Sequence, residues 1–312
     1  MPGMPARKPP ECPCTFSRSN SPSFPFNDTF SAHIHDISTT CGYDSFLANE
    51  LQFPPPKQSQ PHPGLGLDGT VLQRCLLFEK VYQAALEINP CFDIYNIAQM
   101  CPSPWDILEQ PGLHTEAPET FRHAYFNRSD VRKYIHAPIN GTWTVCSQQP
   151  VFLNGHDLSP PSALTGGPLQ HVIEATNNVI VAHGTLDMVL ILNGSLLTLQ
   201  DLIWNKAKGF SSPPMNPFYV PRPEVYSPGS PVGGGVLGRW VSERGLTFCS
   251  VELSGHEVPT FQPSAAFRHM ELLLGRIGNL SETTPFSTQQ MYHQDHQPLE
   301  TDCNRRTKPQ NL

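Results

Sequence analysis

Two stretches of this chain repeat one plan, and that plan limits the folds open to it. Residues 179–182, Val-Ile-Val-Ala, form a short β-branched run. The turn His183-Gly184-Thr185-Leu186-Asp187 follows, and then a long apolar-periodic segment, 188–204, that reads as mainly helical. Residues 246–253, Leu-Thr-Phe-Cys-Ser-Val-Glu-Leu, lead into Ser254-Gly255-His256-Glu257-Val258-Pro259 and then into an amphipathic segment, 262–277. A β-branched run without polar alternation suits a parallel strand covered on both faces. Strand, polar turn and helix, twice over, predict an α/β arrangement with chemistry-bearing side chains where strands end and helices begin. Asn193-Gly194 either interrupts the first helical segment or caps its start.

Proline accounts for 34 of the 312 residues and hydrophobic residues for 38%, so core material has to be concentrated, and it is densest between residues 70 and 281. Residues 1–40 and 282–312 are polar or Pro/Ser/Asn-rich, show no period of 3.6 or 2, and are expected to be disordered. Residues 41–53 predict a short helix stopped by Pro54-Pro55-Pro56, with a Pro/Gly/Gln linker behind it to residue 69. Residues 71–89 predict a helix ended by Asn89-Pro90. Residues 127–137 predict another, capped by Ser129 or Asp130 and stopped by Pro138. Residues 210–238 read as a Pro/Gly-rich loop.

The net charge of −7 carries no block of Lys or Arg, which argues against nucleic acid as a partner. No run of 18 or more apolar residues is present, so no membrane span is expected. The first ten residues lack the apolar segment of a secretory signal. Against that stand nine cysteines and five Asn-x-Ser/Thr acceptors, at Asn27, Asn127, Asn140, Asn193 and Asn279, which suit an oxidising, glycosylating route. The conflict leads to the expectation that a leading segment has been lost. Cys91 and Cys101, nine residues between them, most simply close a small disulfide loop. Cys12-Pro-Cys14, His33-Ile-His35 and His293-Gln-Asp-His296 lack a second ligand pair at zinc spacing, so neither metal nor cofactor is expected.

Asp187 and His256 occupy equivalent turns one strand unit apart. A carboxylate that accepts the imidazole Nδ1–H fixes the tautomer and stabilises the imidazolium formed when the ring takes a proton. Taken alone, such an Asp is more often a helix cap and such a His a packed side chain. The surrounding motifs weigh toward the pair. Asn89-Pro-Cys-Phe-Asp-Ile-Tyr95, Cys101-Pro102, Gly184-Thr-Leu-Asp187 with Asn193-Gly194, Trp204 with Gly209-Phe210, Glu243-Arg-Gly-Leu246, and Gly255-His256-Glu-Val-Pro259 with Gln262-Pro263 resemble, in that order, the C-terminal part of filamentous-fungal serine carboxypeptidases, from Cys41 to Ile277.

The resemblance implies the C-terminal half of an α/β-hydrolase sheet over residues 151–281, with a helical, disulfide-containing cap insertion over 41–150. It implies Asp187 as the acid and His256 as the base of a catalytic triad, peptide or protein C-termini as substrate, and a secreted or vacuolar setting. Glu257, where many family members have Met, would line the pocket for the leaving residue and favour Lys or Arg. Cys41 with Cys75 and Cys91 with Cys101 are the expected pairs and Cys249 the buried free thiol, with Cys146 reaching a cysteine outside this chain. No Gly-x-Ser-x-Gly occurs in the 312 residues, so the nucleophilic serine is expected from a preceding segment or a separate N-terminal chain. The alternatives are an inactive truncated product or an acyltransferase on the same scaffold.

Overall fold

The computed structural model describes residues 25–66, 70–101, 125–138, 140, 141, 143, 149–152, 166–222 and 233–288. Among the described residues four helices come first: α1 (Asp28–Thr40), α2 (Tyr43–Glu50), α3 (Phe78–Ile88) and α4 (Ser129–Tyr134). α5 (Pro168–Thr176) leads into β1 (Val179–Gly184) and α6 (Leu192–Asp201). The small hairpin β2 (Ile203–Trp204) and β3 (Ala207–Lys208) follows, then β4 (Asn216–Val220), β5 (Gly235–Glu243) and β6 (Leu246–Val251). α7 (Val258–Phe261) and α8 (Pro263–Leu273) close the fold.

The main sheet has the order β1-β6-β5-β4. β1 runs parallel to β6, with Val179 opposite Leu246 and Gly184 opposite Val251; the β6–β5 and β5–β4 pairs are antiparallel. All six residues of β6 are buried, and alternate side chains serve opposite faces. Leu246 and Phe248 join a core with Ile173, Leu196, Leu199, Trp204 and Phe210. Cys249 and Val251 join another with Phe218, Val258, Ala265 and Leu280. A strand covered on both faces can be apolar throughout, and each fully buried Leu or Phe contributes about 1.5–3 kcal/mol. β1, by contrast, is only partly covered over its first four residues and, among the described residues, pairs on one side alone.

Cys41–Cys75 and Cys91–Cys101 are disulfides, and Cys249 is a buried free thiol. Buried side chains of α2 and α3, such as Leu47, Val81 and Ala85, belong to the same core as Ile173 and Phe248. That continuity puts these helices, which the disulfides flank, on one core with the sheet.

Three expectations need correction. Residues 28–40, expected to be disordered, instead form α1, with the Asn27 side chain accepting from the Phe30 amide at 2.9 Å. Its Phe30, Ile34 and Ile37, spaced by four and three, pack into the core; interspersed polar residues hid that short period. The tail expected from residue 282 instead stays packed through its first turn. Arg268 donates to the Glu282 carbonyl at 2.8 Å, and the Ser287 amide donates to Glu271. Phe286 is buried against Phe267. The loop expected over 210–238 contains β4 and the start of β5. Pro217 is tolerated because β4 is an edge strand, and a Cβ at Gly238 would lie 1.8 Å from the Ser250 carbonyl oxygen, so that glycine marks close strand contact and not a turn. Smaller shifts follow the usual end effects: α3 starts at Phe78 after a 3-10 turn at Gln73–Cys75, Ser129 and Asp130 lie inside α4, and Ile191 is the residue that precedes α6.

His269 on α8 stacks on Phe218 with ring centroids 4.8 Å apart, and burial pushes its pKa from 6.5 down to about 4. The unfolded chain therefore takes up a proton as pH falls through 6.5, while the folded chain resists until about 4. This stability is complete above pH 6.5, is lost progressively down to about pH 4, and amounts to about 3 kcal/mol. Urea unfolding at pH 7 and pH 4 should show that loss in the wild-type chain and a smaller one in His269→Gln. An identical acid response in both would refute the assignment.

Candidate active site

β1 and β6 end side by side, and their following turns are tied together through the main chain. The Thr185 amide donates to the Val251 carbonyl at 2.9 Å and the Leu186 amide to the Ser254 carbonyl at 2.9 Å. A third segment, residues 92–97, bridges both turns. The Ile97 amide donates to Leu186 and the Met188 amide to the Ile94 carbonyl, while the Tyr95 carbonyl accepts from the His256 amide at 2.8 Å. Such close packing leaves no room for side chains at two positions. A Cβ at Gly184 would lie 2.0 Å from the Gly255 carbonyl oxygen, and one at Gly255 would lie 2.1 Å from that of Tyr95.

These turns bring Asp187 and His256 together, with Oδ2 of the carboxylate 2.7 Å from Nδ1 of the imidazole. Asp187 is 3% exposed. Its other oxygen accepts from the Val189 and Leu190 amides at 2.9 and 3.1 Å. Three donors fix this buried carboxylate in one orientation. Since a carboxylate accepts, Nδ1 of His256 is the protonated nitrogen and Nε2 carries the lone pair. The His256 ring is about a third exposed and packs edge-on to Tyr95, centroids 5.4 Å apart. An imidazole fixed in this tautomer can take a proton at Nε2 and return it.

The remaining candidate residues lie in varied settings. Glu257 precedes α7 and its carboxylate accepts from the Thr260 hydroxyl at 3.2 Å, a local helix-start contact. Ser254 is fully buried and donates its hydroxyl to the Gly255 carbonyl. Asn27 and Asn140 are exposed. Asn127 uses both ends of its amide on the Trp143 backbone, and the Asn279 side chain accepts from the Ser281 amide. Asn193 sits within α6, and the hydroxyl of its Ser195 is bonded to His183. Of the metal candidates, Cys12, Cys14, His293 and His296 lie outside the described residues, as does Cys146. No described helix is long and apolar enough to cross a membrane.

Sequence reasoning missed the bridging role of residues 92–97 and the part played by His183. The first is carried by main-chain groups, which leave no trace in residue type. The second had a signal, a histidine four residues before the acid, but the sequence reading placed it in the turn, whereas it is the fifth residue of β1.

An α/β sheet that carries an Asp–His pair at the carboxyl ends of adjacent parallel strands defines a hydrolase-type architecture. Comparison with known proteins narrows the class. A model of the serine carboxypeptidase family matches residues 62–276. The chain is 42% identical over 259 residues to a probable serine carboxypeptidase of Arthroderma benhamiae, an alignment covering 83% of this chain and 47% of that protein. It is 38% identical over 281 residues to serine-type carboxypeptidase F of Aspergillus niger, covering 85% and 51%. The fold is similar to that of Kex1Δp, a prohormone-processing carboxypeptidase from Saccharomyces cerevisiae, with a TM-score of 0.51 at 18% identity over 87% of this chain and 54% of that one. The chain belongs to the serine carboxypeptidase family, has its α/β-hydrolase fold, and spans about half the length of the curated relatives it matches.

Because the neighbours of Gly255 are the Tyr95 carbonyl, the Asn96 Cβ and the Phe261 ring, none of them the far end of a flexible side chain, Gly255→Ala should cost about 1–3 kcal/mol. Gly194→Ala, where the added methyl would find its nearest neighbour at 3.8 Å, should be neutral or slightly stabilising. Urea midpoints of the two variants check this; equal midpoints would show that the His256 turn is more yielding than its contacts imply.

Proposed function

We propose that this chain supplies the acid and the base of a serine-type carboxypeptidase, and that the nucleophilic serine reaches His256 from polypeptide outside these 312 residues. The observation that carries the reading is the 2.7 Å contact between Asp187 and His256 at the ends of paired parallel strands. In the proposed cycle His256 Nε2 takes the serine hydroxyl proton as the oxygen attacks the carbonyl of the penultimate residue, whose bond to the C-terminal residue's nitrogen then breaks. Asp187 stabilises the imidazolium. The same proton passes to the leaving amine, an ester forms between the serine and the shortened peptide, and water activated by His256 hydrolyses it.

The chain's own serines near the pair support an external nucleophile. Ser254 is buried with its hydroxyl engaged, Ser195 is committed to His183, and no Gly-x-Ser-x-Gly turn is present to expose a third. Among the described residues β1 pairs on one side alone, which suits a docking edge for an N-terminal half, on a preceding segment or a separate chain. Within this reading residues 41–150 act as cap and 151–281 as the C-terminal half of the core. Two disulfides suit an oxidising secreted or vacuolar setting.

A fluorophosphonate serine probe tests the division of labour. The isolated chain should neither form a stoichiometric adduct nor release C-terminal residues from peptides, since loss of the nucleophile alone costs on the order of 10⁶ in rate. A stoichiometric adduct on this chain, abolished by His256→Ala, would overturn the proposal of an external serine. Glu257 is proposed to face the leaving residue and to favour a basic one. In the assembled enzyme Glu257→Gln should then reduce turnover of peptides ending in Arg relative to those ending in Leu, and an unchanged ratio would leave Glu257 with only its Thr260 contact.

A further inference from the structure

A second histidine stands behind the Asp187–His256 pair. His183, the fifth residue of β1, is buried, with Nε2 2.6 Å from the Leu190 carbonyl oxygen and Nδ1 2.9 Å from the Ser195 hydroxyl. A carbonyl oxygen only accepts, so Nε2 carries a proton and donates it; in the neutral ring Nδ1 then accepts from Ser195. Burial lowers the pKa of this imidazole, against the opposing pull of the Asp187 carboxylate, which favours the neutral ring. Its Nε2 lies 3.9 Å from Asp187 Oδ2, too far for a hydrogen bond, so it does not compete with His256 for that oxygen.

What His183 does hold is the turn that presents the carboxylate. Leu190 donates its amide to Asp187 Oδ1 and gives its carbonyl to His183, so one residue is gripped from both sides. The Leu190 side chain is 57% exposed and does little to anchor the turn by burial. We infer that His183, seated by Ser195 on α6, is a positioning residue that locks the 187–190 turn so that Oδ2 of Asp187 meets Nδ1 of His256. The inference rests on the reading of Asp187 and His256 as acid and base. It places the setting of the acid in a linked series: Ser195 hydroxyl, His183 ring, Leu190 peptide, Asp187 carboxylate.

Proton NMR of the 312-residue chain reads this without any serine chemistry. The His256 Nδ1 proton held by Asp187 should give a low-field resonance, assigned by its loss in His256→Gln. The indole N–H of fully buried Trp204 serves as a marker of the folded state. His183→Leu fills the space without hydrogen bonds and should lose most of the His256 signal while the Trp204 marker persists. His183→Gln, whose amide can donate to Leu190, should recover it. A full-strength His256 signal in His183→Leu would overturn the inference. Should His183→Leu lose the marker too, His183→Gln decides: both signals present support the role, and the marker without the His256 signal refutes it. A wild-type chain that keeps the marker but lacks the low-field proton would instead remove the Asp187–His256 pairing itself, a different failure from that of the His183 role.

Discussion

The parallel pairing of β1 with β6 is the constraint on which the site depends. Gly184 faces Val251 at the end of the ladder, so the two chains leave the sheet at one level and turn over it together. The distance between an aspartate three residues past one strand and a histidine five residues past the other is then set by backbone, before any side chain chooses a rotamer. The close approach of Gly184 and Gly255 and the bridge from residues 92–97 remove the slack that remains.

Burial gives this geometry its electrostatic value. An ionised carboxylate shielded from water is costly unless its oxygens are occupied, and removal of one partner of such a pair costs more than the pair itself contributes. Asp187 meets that demand with two amides on Oδ1 and the imidazole on Oδ2. The arrangement is asymmetric in a useful way. The acid is sealed and the ring it orients remains about a third exposed, so Nε2, the nitrogen with the lone pair, can face a reactant while the carboxylate behind the ring stays in a low-dielectric setting. A buried Arg268–Glu271 pair, 2.7 Å apart, applies the same rule on α8, where it fastens the chain that follows that helix.

The parts of the architecture written in side-chain pattern were legible in the sequence. The β-branched run at 179–182, the apolar run at 246–251 and the polar turns behind them announced the strands and the Asp–His pair. The Cys91–Cys101 loop was legible from its spacing of ten residues, whereas Cys41–Cys75, 34 residues apart, came with the family resemblance. The parts that depend on main-chain contact were not legible. Gly235 and Gly238 read as loop residues, yet Gly238 lies in a strand so close to Ser250 that no Cβ fits. α1 was hidden because its apolar positions sit among histidines and serines, and only docking on the core beside Leu47 and Leu51 makes it worth forming. His183 was visible as a letter, but its role depends on which carbonyl folds over its ring.

The main-chain anchoring of the His256 turn has a further consequence. The His256 amide is held by the Tyr95 carbonyl and the Ser254 carbonyl by the Leu186 amide, so the imidazole owes its position to atoms that every residue type shares. Position 257, next in the chain, contributes its side chain to neither contact. Variation there is decoupled from the acid–base pair. A lineage built on this turn can exchange the neighbouring side chain, and with it the chemistry presented beside the histidine, without passing through forms in which the ring has lost its place.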